Sequence, residues 1–166
     1  MSRFARYLVM LALVAAVSLG LAGCRGTAPP NIGNAAPDFT VRDADRSVTL
    51  SHFRGKPVLL NFWATWCPPC VEEMPSMIAL QKQLGDKVVI LAVSTDVDAD
   101  AYKKFTEKRT QGLLTVRDAE HKSNSLYGSY QFPETFLIDR DGIIRRKFIG
   151  PQEWTSPEII DYLSKL

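Results

Sequence analysis

The sequence predicts an α/β domain, a mixed central sheet with helices on both faces and a β-hairpin extension at its N-terminal side. Three observations carry this. Val58 to Ala64 and Val88 to Val93 are nearly continuous apolar runs, the pattern of strands buried on both faces. Each is followed by a segment of helical period. Late in the chain, Thr135 to Asp139 and Ile143 to Ile149 read as strands joined by Asp141-Gly142, a hairpin signal, so part of the sheet is antiparallel. The 166 residues allow one ordinary domain plus a short appendage. A chain 46% hydrophobic and 23% charged is neither globally disordered nor a multi-span membrane protein. There is no solenoid repeat and no low-complexity tract. Net charge is +2, and it falls to zero once Arg3 and Arg6 are set aside with the first 23 residues. Scattered charges on a neutral chain give no reason to expect nucleic acid as a partner.

In chain order, Met1 to Arg6 carries two Arg and no acid, and the 17 residues from Tyr7 to Gly23 carry no charge. That is the basic and apolar pattern of an export signal, and also the length of a short membrane anchor. Leu21-Ala22-Gly23-Cys24 resembles the lipobox of bacterial lipoproteins. The resemblance implies a signal peptide over residues 1–23 and lipidation of Cys24, whose thiol is the nucleophile that alkylation needs. Acyl chains at about 0.8 kcal/mol per buried CH₂ then hold the protein on a lipid bilayer, with its domain on the extracytoplasmic, periplasmic side of a bacterial envelope. Residues 24–35 are the lipidated Cys and a Gly/Pro-rich linker, and residues 36–166 form the domain.

Asp38 to Val41 and Ser47 to Leu50 alternate polar and apolar around D-A-D-R and read as a hairpin. Ser51 caps a helical turn through Phe53, stopped by Gly55. A helix runs from Pro68 to about Leu84, with Met74, Met77, Ile78, Leu80 and Leu84 on helical spacing and Gly85 behind it. Asp98 to Arg109 is a helix with an acidic start and a basic end, matching its dipole. Leu113 to Val116 reads as a short strand and Ser123 to Tyr127 as a short helix. Ser156 caps the last helix, with Pro157 at its first position.

The chemistry sits at Trp66-Cys67-Pro68-Pro69-Cys70, where a buried strand hands over to a helix. A Cys at a helix N-terminus meets unpaired N–H groups and the positive dipole end, which favour thiolate over thiol. The second Cys, one turn on, can reach the first, so the pair can attack a disulfide and release it by internal attack. Pro68 and Pro69 suit the first turn but remove two N–H donors, which predicts a modestly depressed Cys67 pKa and a reducing pair. Competing readings are a structural disulfide, which closes too short a loop to constrain the unfolded chain much, and a zinc site. Zinc would need His52 and His121, far from the pair in sequence, and three Cys in all are too few for four thiolates.

V-L-L-N-F-W-A-T-W-C-P-P-C-V-E-E-M-P resembles the thioredoxin superfamily, and within it the TlpA/ResA-like branch of membrane-tethered thiol-disulfide oxidoreductases. The likeness extends to A-P-D-F-T, F-R-G-K-P and Y-Q-F-P-E-T-F-L-I-D-R-D-G, covering roughly residues 35–166. It implies a thioredoxin-like fold, with Cys67 the exposed nucleophile, Cys70 the buried resolving Cys and Pro133 a cis-proline facing the disulfide. Pro75 matches a kink in the active-site helix, and Trp66 covers the disulfide. Glu73 matches an acidic position of the branch, either tuning the pair or lying on the helix surface. Thioredoxin's buried Asp is replaced by Asn61, which cannot act as a base. Where some relatives place a Glu after the second core strand, Val97 stands between Asp96 and Asp98, which read as loop or cap residues.

No organic cofactor or metal is implied. The resemblance implies protein disulfides as substrates, such as apocytochrome c haem-site cysteines or copper-site proteins, and a membrane electron-donor thiol protein as reductant. The alternative is a dithiol oxidant or isomerase. A peroxiredoxin would want Thr where Ala64 stands, and a copper-delivery protein a wider Cys spacing and a His ligand. A binding-only module has no use for a helix-start dithiol.

Overall fold

The computed structural model describes residues 29–44 and 46–166. Residues 1–28, where the sequence reading expects a signal peptide, the lipidated Cys24 and the start of a linker, lie outside the described residues. The chain enters the domain through backbone hydrogen bonds, from Gly33 N–H to the Ile144 carbonyl and from Ala36 N–H to the Gly142 carbonyl. An antiparallel hairpin follows, β1 (Thr40–Asp43) and β2 (Arg46–Thr49). It starts two residues later than the alternation suggests. The Asp38 carboxylate accepts the N–H groups of Phe39 and Ser51, and the residue lies outside the strand. The same contact corrects the expected cap. Leu50–Phe53 form a 3-10 turn with Ser51 inside it.

The remaining elements are β3 (Val58–Trp63), α1 (Pro68–Leu84), β4 (Val89–Ser94), α2 (Ala99–Arg109), β5 (Leu114–Arg117), α3 (Lys122–Leu126), β6 (Glu134–Ile138), β7 (Ile144–Ile149) and α4 (Pro157–Ser164). The five-stranded sheet has the order β5-β4-β3-β6-β7. Strands β3, β4 and β5 run parallel, while β6 is antiparallel to β3 and β7 to β6, which gives the expected mixed sheet of a thioredoxin-like fold. Ser156 and Pro157 occupy the expected start of α4, but the Ser156 hydroxyl makes no capping bond.

The period of two along β3 divides the core. Leu59 and Trp63 face one side, packed with Met74, Met77 and Leu80 of α1, Tyr102 of α2, Trp154, and Ile159 and Leu163 of α4. Val58, Leu60 and Phe62 face the other, packed with Val41 and Val48 of the hairpin, Leu50, Tyr127 and Phe136. Three helices therefore cover one face, while the hairpin, the 3-10 turn and α3 cover the other. Each fully buried Leu or Phe contributes about 1.5–3 kcal/mol by leaving water. The Tyr127 hydroxyl donates to the Pro37 carbonyl at 2.8 Å and ties the hairpin's approach to this second core.

Helix α1 ends at Gly85, whose φ of +56° is left-handed. Gly142 makes the β6–β7 turn at φ +76°, and a Cβ there would meet the Arg54 guanidinium. Gly142→Ala is therefore expected to lower unfolding free energy by about 1–2 kcal/mol, the usual cost of a left-handed Cβ. A denaturant midpoint unchanged from the parent would show that the turn relaxes freely.

Candidate active site

Strand β3 delivers its C-terminal end through Ala64, Thr65 and Trp66 to Cys67, the N-cap of α1. Cys67 and Cys70 form a disulfide, with Cα atoms 5.3 Å apart. The Cys67 Sγ accepts the N–H of Cys70 at 3.3 Å, and the Cys67 carbonyl accepts that of Val71 at 3.2 Å. Pro68 and Pro69 occupy the first two helical positions and have no N–H to give. One backbone donor thus faces the sulfur. The expectation of an exposed Cys67 is corrected: the residue is 5% exposed against 0% for Cys70. The residue is the N-cap of α1, bonded to Cys70 and packed in the core cluster, and little of it reaches solvent.

The Phe132–Pro133 peptide is cis, as the resemblance implied. Pro133 lies just beyond the Phe62–Glu134 pair, at the end of β3 from which the cysteine loop departs. Trp66 is 65% exposed, and its ring stands edge-on to Phe132 at 6.2 Å, linking the two loops. Glu134 is buried. Its carboxylate accepts the Gln131 N–H at 3.2 Å and pairs with the Lys147 ammonium at 2.9 Å, which pins the loop before Pro133. Val97 and Tyr130 leave further exposed apolar surface on the loops after β4 and before β6.

Glu73 overturns its surface reading. It lies three residues after Cys70 on α1, so the two share a helix face, and it is buried. One carboxylate oxygen accepts from Asn61 Nδ2 at 2.9 Å. The other accepts from Trp154 Nε1 at 3.0 Å and from the Gln152 N–H at 3.1 Å. Asn61 Nδ2 also donates to the Thr135 hydroxyl, and its Oδ1 is buried without a partner. Burial pushes the Glu73 carboxyl up to about 7, against the lowering effect of the bonds from Gln152, Trp154 and Asn61.

Asp96 is also buried and bonds Thr65, whereas Asp98 is exposed and caps α2 by accepting the N–H groups of Asp100 and Ala101. The structure thus brings Cys67, Cys70, Trp66, Pro133 and Glu73 to one end of the sheet and leaves Asp98 as a cap. His52 lies on the 3-10 turn and His121 precedes α3, and among the described residues no group of three or more His, Cys, Asp or Glu could hold a metal ion. The sequence reading missed Gln152 and Trp154 as partners of Glu73, Thr135 as a partner of Asn61, and Glu134 as an anchor. Gln152 and Trp154 carry no local motif, and Glu134 and Thr135 follow Pro133 in a quoted motif that does not mark which side chains they meet.

A helix-start disulfide beside a cis-proline loop, on this fold, defines a thiol-disulfide oxidoreductase, an enzyme of the thioredoxin-like class. Within that class the chain belongs to the AhpC/TSA family, whose model matches residues 32–147. It is similar to the thiol-disulfide oxidoreductase ResA of Bacillus thuringiensis subsp. konkukian, 36% identical over 137 residues, covering 81% of this chain and 78% of that protein. The thiol:disulfide interchange protein DsbE of Pseudomonas aeruginosa is 40% identical over 123 residues, covering 72% and 67% respectively. The crystal structure of the pneumococcal exposed lipoprotein thioredoxin Etrx1 from Streptococcus pneumoniae matches with a TM-score of 0.68 at 28% identity, covering 78% of this chain and 100% of that one.

Proposed function

We propose that the protein is a lipid-tethered, extracytoplasmic reductase of protein disulfides. Cys67 is the attacking sulfur, Cys70 the resolving one, and Pro133 borders the substrate. The Cys67 thiolate attacks one sulfur of a substrate disulfide, forming a mixed disulfide and releasing one substrate thiolate. The Cys70 thiolate then attacks Cys67 Sγ, releases the second substrate thiolate and closes the Cys67–Cys70 bond. Two electrons pass from the dithiol to the substrate. Cys70 has no solvent exposure, so its proton needs an internal acceptor. Glu73, on the same helix face with a pKa near 7, is suited to that task where Asn61 is not.

The observation that carries the direction of transfer is the start of α1, where two prolines leave one N–H facing Cys67 Sγ. A weakly stabilised thiolate makes the dithiol the better electron donor. The exposed apolar surface of Trp66, Val97 and Tyr130 suits a polypeptide substrate. The lipobox reading, with removal of residues 1–23 and acylation of Cys24, is supported by the name of the pneumococcal lipoprotein thioredoxin. Among the described residues no helix is long and apolar enough to cross a membrane. Electrons come from a membrane thiol protein, and the family resemblance points to cystines of apocytochrome c haem sites or copper-centre proteins as substrates.

Equilibration of the Cys67–Cys70 pair with a dithiol buffer tests this reading. A potential of about −270 mV is expected, and one of about −120 mV would make the protein an oxidant.

A further inference from the structure

Asp96 takes no part in the electron transfer just described, yet it holds the segment that delivers Cys67. It lies two residues past the end of β4 and is 1% exposed. Its carboxylate accepts the Thr65 hydroxyl at 2.7 Å, the Thr65 N–H at 3.0 Å and the Ser94 hydroxyl at 2.6 Å. Its own N–H donates back to the Ser94 hydroxyl at 3.0 Å. Burying a carboxylate costs several kcal/mol unless strong bonds offset it, and three donors to an ionised acceptor do so. Two of the three come from one residue, Thr65, two positions before Cys67. The backbone around Asp96 is itself anchored, since Arg117 Nη1 donates to the Val97 carbonyl at 3.1 Å while Nη2 pairs with Asp43 of the hairpin at 2.8 Å.

We propose that Asp96 is a positioning residue, fixing Thr65 so that Cys67 stays at the N-cap of α1 with its sulfur on the Cys70 N–H. The need is greatest in the reduced protein. Once the Cys67–Cys70 bond opens, the Cys67 side chain loses its covalent tie to the helix, and the Asp96–Thr65 bonds remain as a side-chain anchor of the loop before it. This inference rests on the reading of Cys67 as the attacking sulfur.

The test measures how fast the reduced protein attacks dithionitrobenzoate near neutral pH, and follows Cys67 ionisation by ultraviolet thiolate absorbance. Asp96→Ala is expected to slow attack by about tenfold, a modest share of what misplacing a reacting group costs, and to raise the pH midpoint of the Cys67 thiolate. Asp96→Asn keeps an acceptor for the Thr65 hydroxyl and is expected within about threefold of the parent. Thr65→Val removes one of the bonds without touching Asp96 and shifts rate and midpoint in the same direction. Asp98→Ala removes a nearby carboxylate of the same charge that caps only α2, and leaves both unchanged. The inference is overturned if Asp96→Ala matches the parent in rate and midpoint, or if Asp98→Ala slows attack equally, which would show that the effect does not come from the contact with Thr65. If Asp96→Ala does not fold, Thr65→Val decides: parent-like values overturn the inference. A parent protein inert to the reagent would instead sink the proposed function, a distinguishable failure.

Discussion

Cys70→Ala is expected to leave a protein that attacks disulfides and cannot let go of them. Cys67 keeps its place at the N-cap of α1, so the first exchange proceeds and a substrate becomes covalently attached. Without the sulfur one turn on, the internal attack that ejects the second substrate thiolate has no nucleophile. Multiple-turnover reduction of insulin should fall on the order of 10³-fold or more, as when one member of a catalytic unit is removed. Non-reducing electrophoresis should show mixed disulfides in cells carrying this variant. Cys67→Ser should lose turnover equally and trap nothing. Undiminished turnover in Cys70→Ala would mean that the second cysteine does not resolve the intermediate. The captured proteins would identify the physiological substrate directly.

Glu73 gives the second large effect, and it has two components. Its carboxyl titrates near 4.5 in the unfolded chain and at about 7 in the folded one. The folded state therefore binds the extra proton between these values. The stabilisation is fully present below about pH 4.5 and is lost as pH rises through about 7, by about 3 kcal/mol at roughly 1.4 kcal/mol per pH unit. Glu73→Gln should abolish that slope. The glutamine keeps its oxygen on the Gln152 and Trp154 donors if the Asn61 amide turns over, so that Oδ1 accepts from the new amide and from the Thr135 hydroxyl while Nδ2 takes the unpartnered place that Oδ1 now holds. Glu73→Ala has no such remedy. It leaves one Asn61 Nδ2 hydrogen, the Gln152 N–H and the buried Trp154 indole N–H without their acceptor, which should cost about 3–5 kcal/mol. Urea unfolding across the pH window measures both. A parallel pH dependence in parent and Glu73→Gln would show that another group controls it. If Glu73 accepts the Cys70 proton, Glu73→Gln should also slow decay of the mixed disulfide near neutral pH by about 10²-fold, with the initial attack unchanged.

These two residues differ in how far they could be read from the chain. The cysteines were legible because the signal is local. A buried apolar run, two prolines at permitted helix positions and a three-residue spacing all lie within Val58 to Cys70. The helix they open ends at Leu84 with Gly85 behind it, where the spacing and the glycine placed it. Glu73 could be read either as surface charge or as a tuning group, since a helix carries no mark of which neighbour will cover it. The decision comes from the Gln152–Trp154 segment, about 80 residues downstream, folding back over that face. The sequence marks Asp96 as a loop or cap residue, and it lies in a loop; that its carboxylate belongs to Thr65, 31 residues earlier, follows from the parallel register that sets Trp63 beside Ser94.

The chain by itself determined the class of element at each stretch, the pair of sulfurs and the helix start that poises them. Apolar period, turn glycines and prolines act over a few residues and can be read without a partner. Tertiary structure alone decided the strand order, the narrow exposure of Cys67, and which buried donors each carboxylate meets. Those depend on how the sheet's two faces are covered, and hydrogen bonding between distant segments leaves no periodic trace in the order of residues.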